Sequence, residues 1–315
     1  MSVDKASAKE ALIEEICRLK KEKQAVIMAH YYQQGEIQDV ADYIGDSLAL
    51  AQIAATVEEP VIVMCGVHFM GETAKILCPE KTVLIPDAAA GCSLADSCDA
   101  DEFGKFISAN PGHTVISYVN TTARVKALTD IVVTSGNARK VVESLPKEEK
   151  IIFGPDRNLG NYINAVSGRE MLLWNGACHV HEQFSYDKIV ELKKAHKDAL
   201  FLVHPECKRP LQLIADKVGS TAVLLEFAEK SEAEEFIVAT ESGILHEMQK
   251  KCPHKKFIAA PADSVCGCNE CSYMKLNTLE KLRDCLAKGQ PEVIVDEELI
   301  ERARRPIERM LELSK

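Results

Sequence analysis

Apolar positions along the chain come in short runs separated by stretches with helical spacing. The runs are at 26–29, 61–65 and 82–85, then 115–117, 151–153 and 170–173, then 200–203, 236–239 and 257–260. Runs this short that do not alternate with polar residues predict parallel strands buried on both faces. Before the first run, Leu12, Ile13, Ile16 and Leu19 fall on one face of an amphipathic helix over 1–19. After the last, Ile300, Ile307, Met310 and Leu311 predict a helical tail over 281–315.

The pattern repeats. Segments of 18 residues starting at His30, Tyr118 and His204 align without a gap: HYYQQGEIQDVADYIGDS, YVNTTARVKALTDIVVTS and HPECKRPLQLIADKVGST. Ile37, Val125 and Leu211 coincide, as do Val40, Leu128 and Ile214. Asp42, Asp130 and Asp216 share a column, and the segments end on the hydroxyls of Ser47, Ser135 and Thr221. Each unit continues with a strand, a helix and a last strand, then closes on cysteine: Cys92, Cys178, and the cluster Cys266, Cys268 and Cys271. Helices alternating with buried strands give an α/β fold. We read three similar αβα domains with short parallel sheets in pseudo-threefold symmetry, spanning 20–105, 106–190 and 191–280.

Composition narrows the class. With 46% apolar and 27% charged residues the chain is neither disordered nor collagen-like. No apolar run is long enough to cross a membrane, and the first residues lack the apolar core of a signal peptide. A formal charge of −10 offers no basic stripe for nucleic acid, although a pocket can still be locally positive. Twelve cysteines without a secretion signal place the chain in the reducing cytoplasm, where thiols serve metal or redox chemistry rather than disulfides.

Ligands of open parallel sheets bind beyond the strands' carboxyl ends. There the repeat sets three polar pairs, His30 with Tyr32, Tyr118 with Asn120 and His204 with Glu206, each spaced to share one side of an extended chain. GDS (45–47), TSGN (134–137) and GST (219–221) each open a helical stretch, where free N–H groups and hydroxyls suit carboxylate or phosphate. The cysteines form a third ring. Three thiolates leave one metal position open, which suits Lewis-acid chemistry better than electron transfer. Cys268 and Cys271 also form a CxxC, but no second such pair completes a zinc site. His179 and His181 beside Cys178 keep a Cys/His zinc site open.

The stretches AHYYQ, VADYIGDS, SYVN, TSGN, FGPDRNLG, NGACHVH, HPEC, VGST and MKLNTLE run in order from about residue 26 to 279. In these the chain resembles the quinolinate synthase family, iron–sulfur enzymes of NAD biosynthesis. The resemblance implies condensation of iminoaspartate with dihydroxyacetone phosphate to quinolinate, with loss of phosphate and water. It implies a [4Fe-4S] cluster on Cys92, Cys178 and Cys271, although the repeat itself favours Cys266 and leaves Cys268 open. Tyr32, Tyr118, His204 and Glu206 would then be catalytic, with His204 and Glu206 poised near pH 7 for proton transfer. His30, Ser47, Tyr118, Asn120, Ser135, His204, Glu206, Ser220 and Thr221 would bind substrate, His30 as a cation. Iminoaspartate points to a functional link with an aspartate oxidase or dehydrogenase. Another iron–sulfur hydro-lyase and a cysteine-based redox sensor are the competing readings. A nicotinamide dehydrogenase is disfavoured, because no GxGxxG follows a strand.

Overall fold

The computed structural model describes residues 2–263 and 269–315. It contains three four-stranded sheets, every adjacent pair parallel. The first holds β1 (Ala25–His30), β2 (Tyr43–Gly45), β3 (Val61–Cys65) and β4 (Thr82–Leu84) in the order β2-β1-β3-β4. The second holds β5 (Thr114–Tyr118), β6 (Ile131–Val133), β7 (Ile151–Gly154) and β8 (Leu172–Leu173), ordered β6-β5-β7-β8. The third holds β9 (Leu200–Val203), β10 (Lys217–Val218), β11 (Glu235–Ala239) and β12 (Lys256–Ala259), ordered β10-β9-β11-β12. Every residue of β1 and of β7 is buried, as a sheet covered on both faces requires.

Two strands are shorter than their apolar runs. Only Leu172 and Leu173 pair in β8, because Asn164 Oδ1 takes the Met171 N–H at 3.0 Å and diverts it from the ladder. Ile85 leaves β4 because its N–H turns to the Pro291 carbonyl at 3.2 Å. The first helix is longer than its apolar stripe, running Ser2–Glu22.

The aspartate column has a structural cause. Asp42, Asp130 and Asp216 each precede the second strand of their sheet and staple it to the first. Their backbone N–H groups donate to the carbonyls of Ile27, Val115 and Phe201 at 2.8, 2.9 and 2.9 Å. Their carboxylates accept the N–H of those same residues at 2.8, 2.8 and 2.7 Å.

The cores are not equally shared. One cluster runs through the first two units and the C-terminal helix Glu297–Leu313, joining Met64, Val132, Ile307 and Met310. Ile16 and Leu19 of the first helix pack with β1 and with Leu282 and Leu286 of helix Leu279–Lys288. The third unit has a separate cluster on each face of its sheet, around Phe201 and Phe236.

In all three sheets the chain leaves the first strand toward one neighbour and returns on its other side. A crevice therefore opens at the carboxyl end of that strand. His30 ends β1, Tyr118 ends β5 and His204 follows β9.

Candidate active site

The three strand ends face one cavity, walled among others by His30, Tyr32, Tyr118, Asn120, His204 and Glu206. The pairs reach it through tight turns rather than extended chain. Gln33 N–H donates back to the His30 carbonyl at 3.0 Å, and Cys207 N–H to the His204 carbonyl at 2.9 Å. The turns also set the imidazoles. His30 Nδ1 accepts the Tyr32 N–H at 3.1 Å, and His204 Nδ1 accepts the Glu206 N–H at 3.3 Å. A neutral ring held this way carries its proton on Nε2. His204 Nε2 lies 3.2 Å from Ser135 Oγ.

The expectation of a cationic His30 is corrected. Burial, and after it the Lys275 ammonium, lowers His30 to about 3. Burial lowers His204 to about 3 as well, with Glu206 opposing and His181 and His30 reinforcing. Both rings are neutral donors near neutrality. Nor are His204 and Glu206 poised near pH 7. Burial pushes the Glu206 carboxyl up, but His181, His204 and the Tyr118 hydroxyl outweigh it and bring it to about 2.

Glu206 anchors a polar chain that crosses between units. Tyr118 OH donates to its Oε1 at 2.5 Å. His181 Nδ1 lies 3.0 Å from its Oε2, outside hydrogen-bond alignment. The other ring nitrogen of His181 meets Thr240 Oγ1 at 3.0 Å, and Thr240 Oγ1 meets Tyr32 OH at 2.7 Å. Tyr32 OH also meets Thr221 Oγ1 at 2.8 Å. Sequence reasoning missed Thr240 and saw His181 only as a zinc candidate. The signal for His181 was its place in NGACHVH, three residues after Cys178.

The hydroxyls divide. Ser47, Ser135 and Thr221 line the cavity. Ser220 does not, because its Oγ caps helix Thr221–Lys230 by accepting the Val223 N–H. In the first unit Asp46, not Ser47, caps helix Ser47–Ala54. No lysine or arginine is among the described residues lining the cavity.

Cys92, Cys178 and Cys271 line the same cavity. Cys92 and Cys178 sit at the N-caps of the short helices Ser93–Asp96 and His179–Glu182, and Cys271 precedes the 3₁₀ turn Met274–Leu276. Two buried acids hold their backbones. Asp156 Oδ2 accepts the Cys178 N–H at 3.3 Å, and Glu241 Oε1 accepts the Cys271 N–H at 3.0 Å. Burial pushes Cys92 up to about 12 and also raises Cys178 and Cys271, with Cys271 acting on Cys92 and Cys92 on Cys178. These thiols have no hydrogen-bond acceptor among the described residues, whereas Cys207 donates to the Ala239 carbonyl at 3.3 Å. Three unpartnered thiols lining one cavity fit a group that binds thiolates. Ligand atoms of Cys178, His181 and Glu206 also lie within 4.8 Å of one another, a spacing that could hold one ion. His179 stands outside that group, its Nδ1 2.6 Å from Ser93 Oγ. Cys266 and Cys268 lie outside the described residues.

The family model of the quinolinate synthetase A protein matches residues 14–312. The chain belongs to the quinolinate synthase family. It is 54% identical over 311 residues to a quinolinate synthase of Microcystis aeruginosa, covering 99% of this chain and 98% of that one. It is 55% identical over 305 residues to one from Chloroherpeton thalassium, covering 96% and 95%. A quinolinate synthase of Trichormus variabilis is 55% identical over 296 residues, covering 94% and 91%. The match includes all three units, so the whole cavity falls inside the quinolinate synthase region. No helix among the described residues is long and apolar enough to cross a membrane.

Proposed function

We propose that the protein is a quinolinate synthase that condenses iminoaspartate with dihydroxyacetone phosphate, losing phosphate and water, with a [4Fe-4S] cluster as cofactor. The carrying observation is that three thiols and three strand-end polar pairs wall one cavity in a chain matched to this family over 14–312. Cys92, Cys178 and Cys271 would hold the cluster, which supplies a Lewis-acidic iron with an open coordination position.

The remaining chemistry belongs to side chains. Both substrates are anions, and the cavity would meet them with neutral donors: the Nε2–H groups of His30 and His204, the Asn120 amide, and the hydroxyls of Ser47, Ser135 and Thr221. The N-termini of helices Ser47–Ala54 and Thr221–Lys230 add partial positive charge. Ser220 acts through the second helix, as its cap. Glu206 is the fixed anion of the site, accepting the Tyr118 hydroxyl hydrogen bond with His181 beside it and stabilising positive charge that develops near it. Tyr32, held between Thr221 and Thr240, donates to developing oxyanions.

The test is an anaerobic preparation assayed for iron, acid-labile sulfide and quinolinate formed from the two substrates. Quinolinate from protein carrying about four irons per chain is expected. Cluster-loaded protein that makes none would refute the reading. A dehydration product of another small acid would favour the hydro-lyase reading.

A further inference from the structure

A second repeated device stands behind the cavity. Eight residues after the start of each repeat stand Gln38, Lys126 and Gln212. Gln38 Nε2 donates to the carbonyls of Tyr31 and Gln33 at 3.0 and 2.9 Å, and to that of Gly243 at 2.9 Å. Lys126 Nζ donates to the carbonyls of Val119, at 2.8 Å, and Thr121. Gln212 Nε2 donates to the carbonyls of Pro205 and Cys207 at 2.8 and 2.7 Å. In all three units the acceptors occupy places one and three of the turn, counting its first residue as zero. The side chains at places zero and two face the cavity.

All three donors are buried: 1%, 0% and 8% exposed. The glutamines leave their Oε1 atoms buried without a partner. A buried acceptor left without a partner destabilises the fold, so an apolar residue would be favoured unless the position needs a donor. Lysine meets the same need with no acceptor to orphan.

We propose that Gln38, Lys126 and Gln212 are the positioning residues of this site, one donor per unit locking the turn that aims that unit's two cavity side chains. The two carbonyls alternate along the chain with the two cavity side chains, so fixing the first pair fixes the direction of the second. None of the three lines the cavity. Misaiming by an ångström costs on the order of a hundredfold in rate, so loss of a clamp lowers kcat/KM, in kcat through the reacting groups and in KM through the binding ones. The inference rests on the proposed reaction only for its kinetic readout.

The test compares Lys126→Met, which keeps length but removes the donor, with Lys126→Gln, which installs the clamp of the other two units. Gln212→Met is the second case should Lys126→Met fail to fold. Backbone amide exchange over 118–121 and 204–207, measured by mass spectrometry, accompanies kcat and KM. K126M should lower kcat/KM on the order of 10- to 100-fold with unchanged iron content and faster exchange over 118–121, and K126Q should recover to within about threefold. Q212M should do the same over 204–207. K126M within about twofold of the parent, K126Q no better than K126M, or exchange unchanged in both methionine variants would overturn the proposal. If the parent protein makes no quinolinate, the reaction reading fails, and the exchange comparison alone decides the clamps.

Discussion

Replacing Glu206 by glutamine tests the polar chain at its anchor. The carboxylate is 3% exposed, accepts the Tyr118 hydroxyl and lies 3.0 Å from His181 Nδ1. With its pKa brought to about 2 it stays ionised throughout the working range. Glutamine keeps the shape and one acceptor but removes the charge. The charge-assisted hydrogen bond from Tyr118 is weakened, about 1.5–3 kcal/mol if it acts in the transition state. At 1.36 kcal/mol per factor of ten, kcat should fall roughly 10- to 10²-fold. Iron and sulfide per chain should match the parent protein, because no thiol is changed. The assay is steady-state quinolinate formation under anaerobic conditions, with metal analysis on the same sample. E206Q turning over within about threefold of the parent at full cluster content would refute the role of the fixed charge.

Three further outcomes are expected. Serine at Cys92, Cys178 or Cys271 should abolish iron retention while Cys207→Ser keeps it; if Cys268→Ser loses iron and Cys271→Ser does not, the third ligand is Cys268. The metal-free protein should lose stability as pH falls from about 6.5 toward 3, because His30 and His204 are held neutral in the fold at about 3 while the unfolded chain binds protons below 6.5. At pH 5 the two rings together cost about 4 kcal/mol relative to pH 8, and His30 and His204 imidazole resonances that titrate near 6.5 would contradict neutral rings. Asp130→Ala should lower the unfolding free energy by about 1–2 kcal/mol through the lost staple on Val115, with turnover per folded molecule unchanged; a drop in kcat at equal stability would contradict a purely structural aspartate.

The features legible in the sequence were those that repeat in kind. Buried strands and the strand-end pairs stand in the same register in each unit, a cysteine closes each unit near the end of its last strand, and all use residue types that announce themselves. What escaped was of two sorts. The clamp column mixes glutamine with lysine, and a lysine in an amphipathic stretch reads as a solvent-facing charge, yet Lys126 is fully buried. Protonation was the second. His30 and His204 look like ordinary imidazoles in sequence, and only burial together with Nδ1 acceptance from the turn makes them neutral Nε2–H donors. Ser220 and Thr221 could not be told apart because adjacent hydroxyls in GST are equivalent on paper, and helix geometry alone sends one to the cap and the other to the cavity.

The aspartate staples carry a consequence for how such a protein can change. They lie at the start of the second strand of each sheet, away from the edge that does the chemistry, and are the same in every unit. A tandem copy of one stapled unit brings a sound frame with it, whatever occupies its outlet. The outlets are then free to diverge, and they have: imidazole with phenol, phenol with amide, imidazole with carboxylate. Substitutions at the rim sample new reactivity without endangering the sheets, whereas drift at the staples weakens a sheet and offers the rim nothing in return. Inheritance can therefore be strict at one end of each unit and inventive at the other.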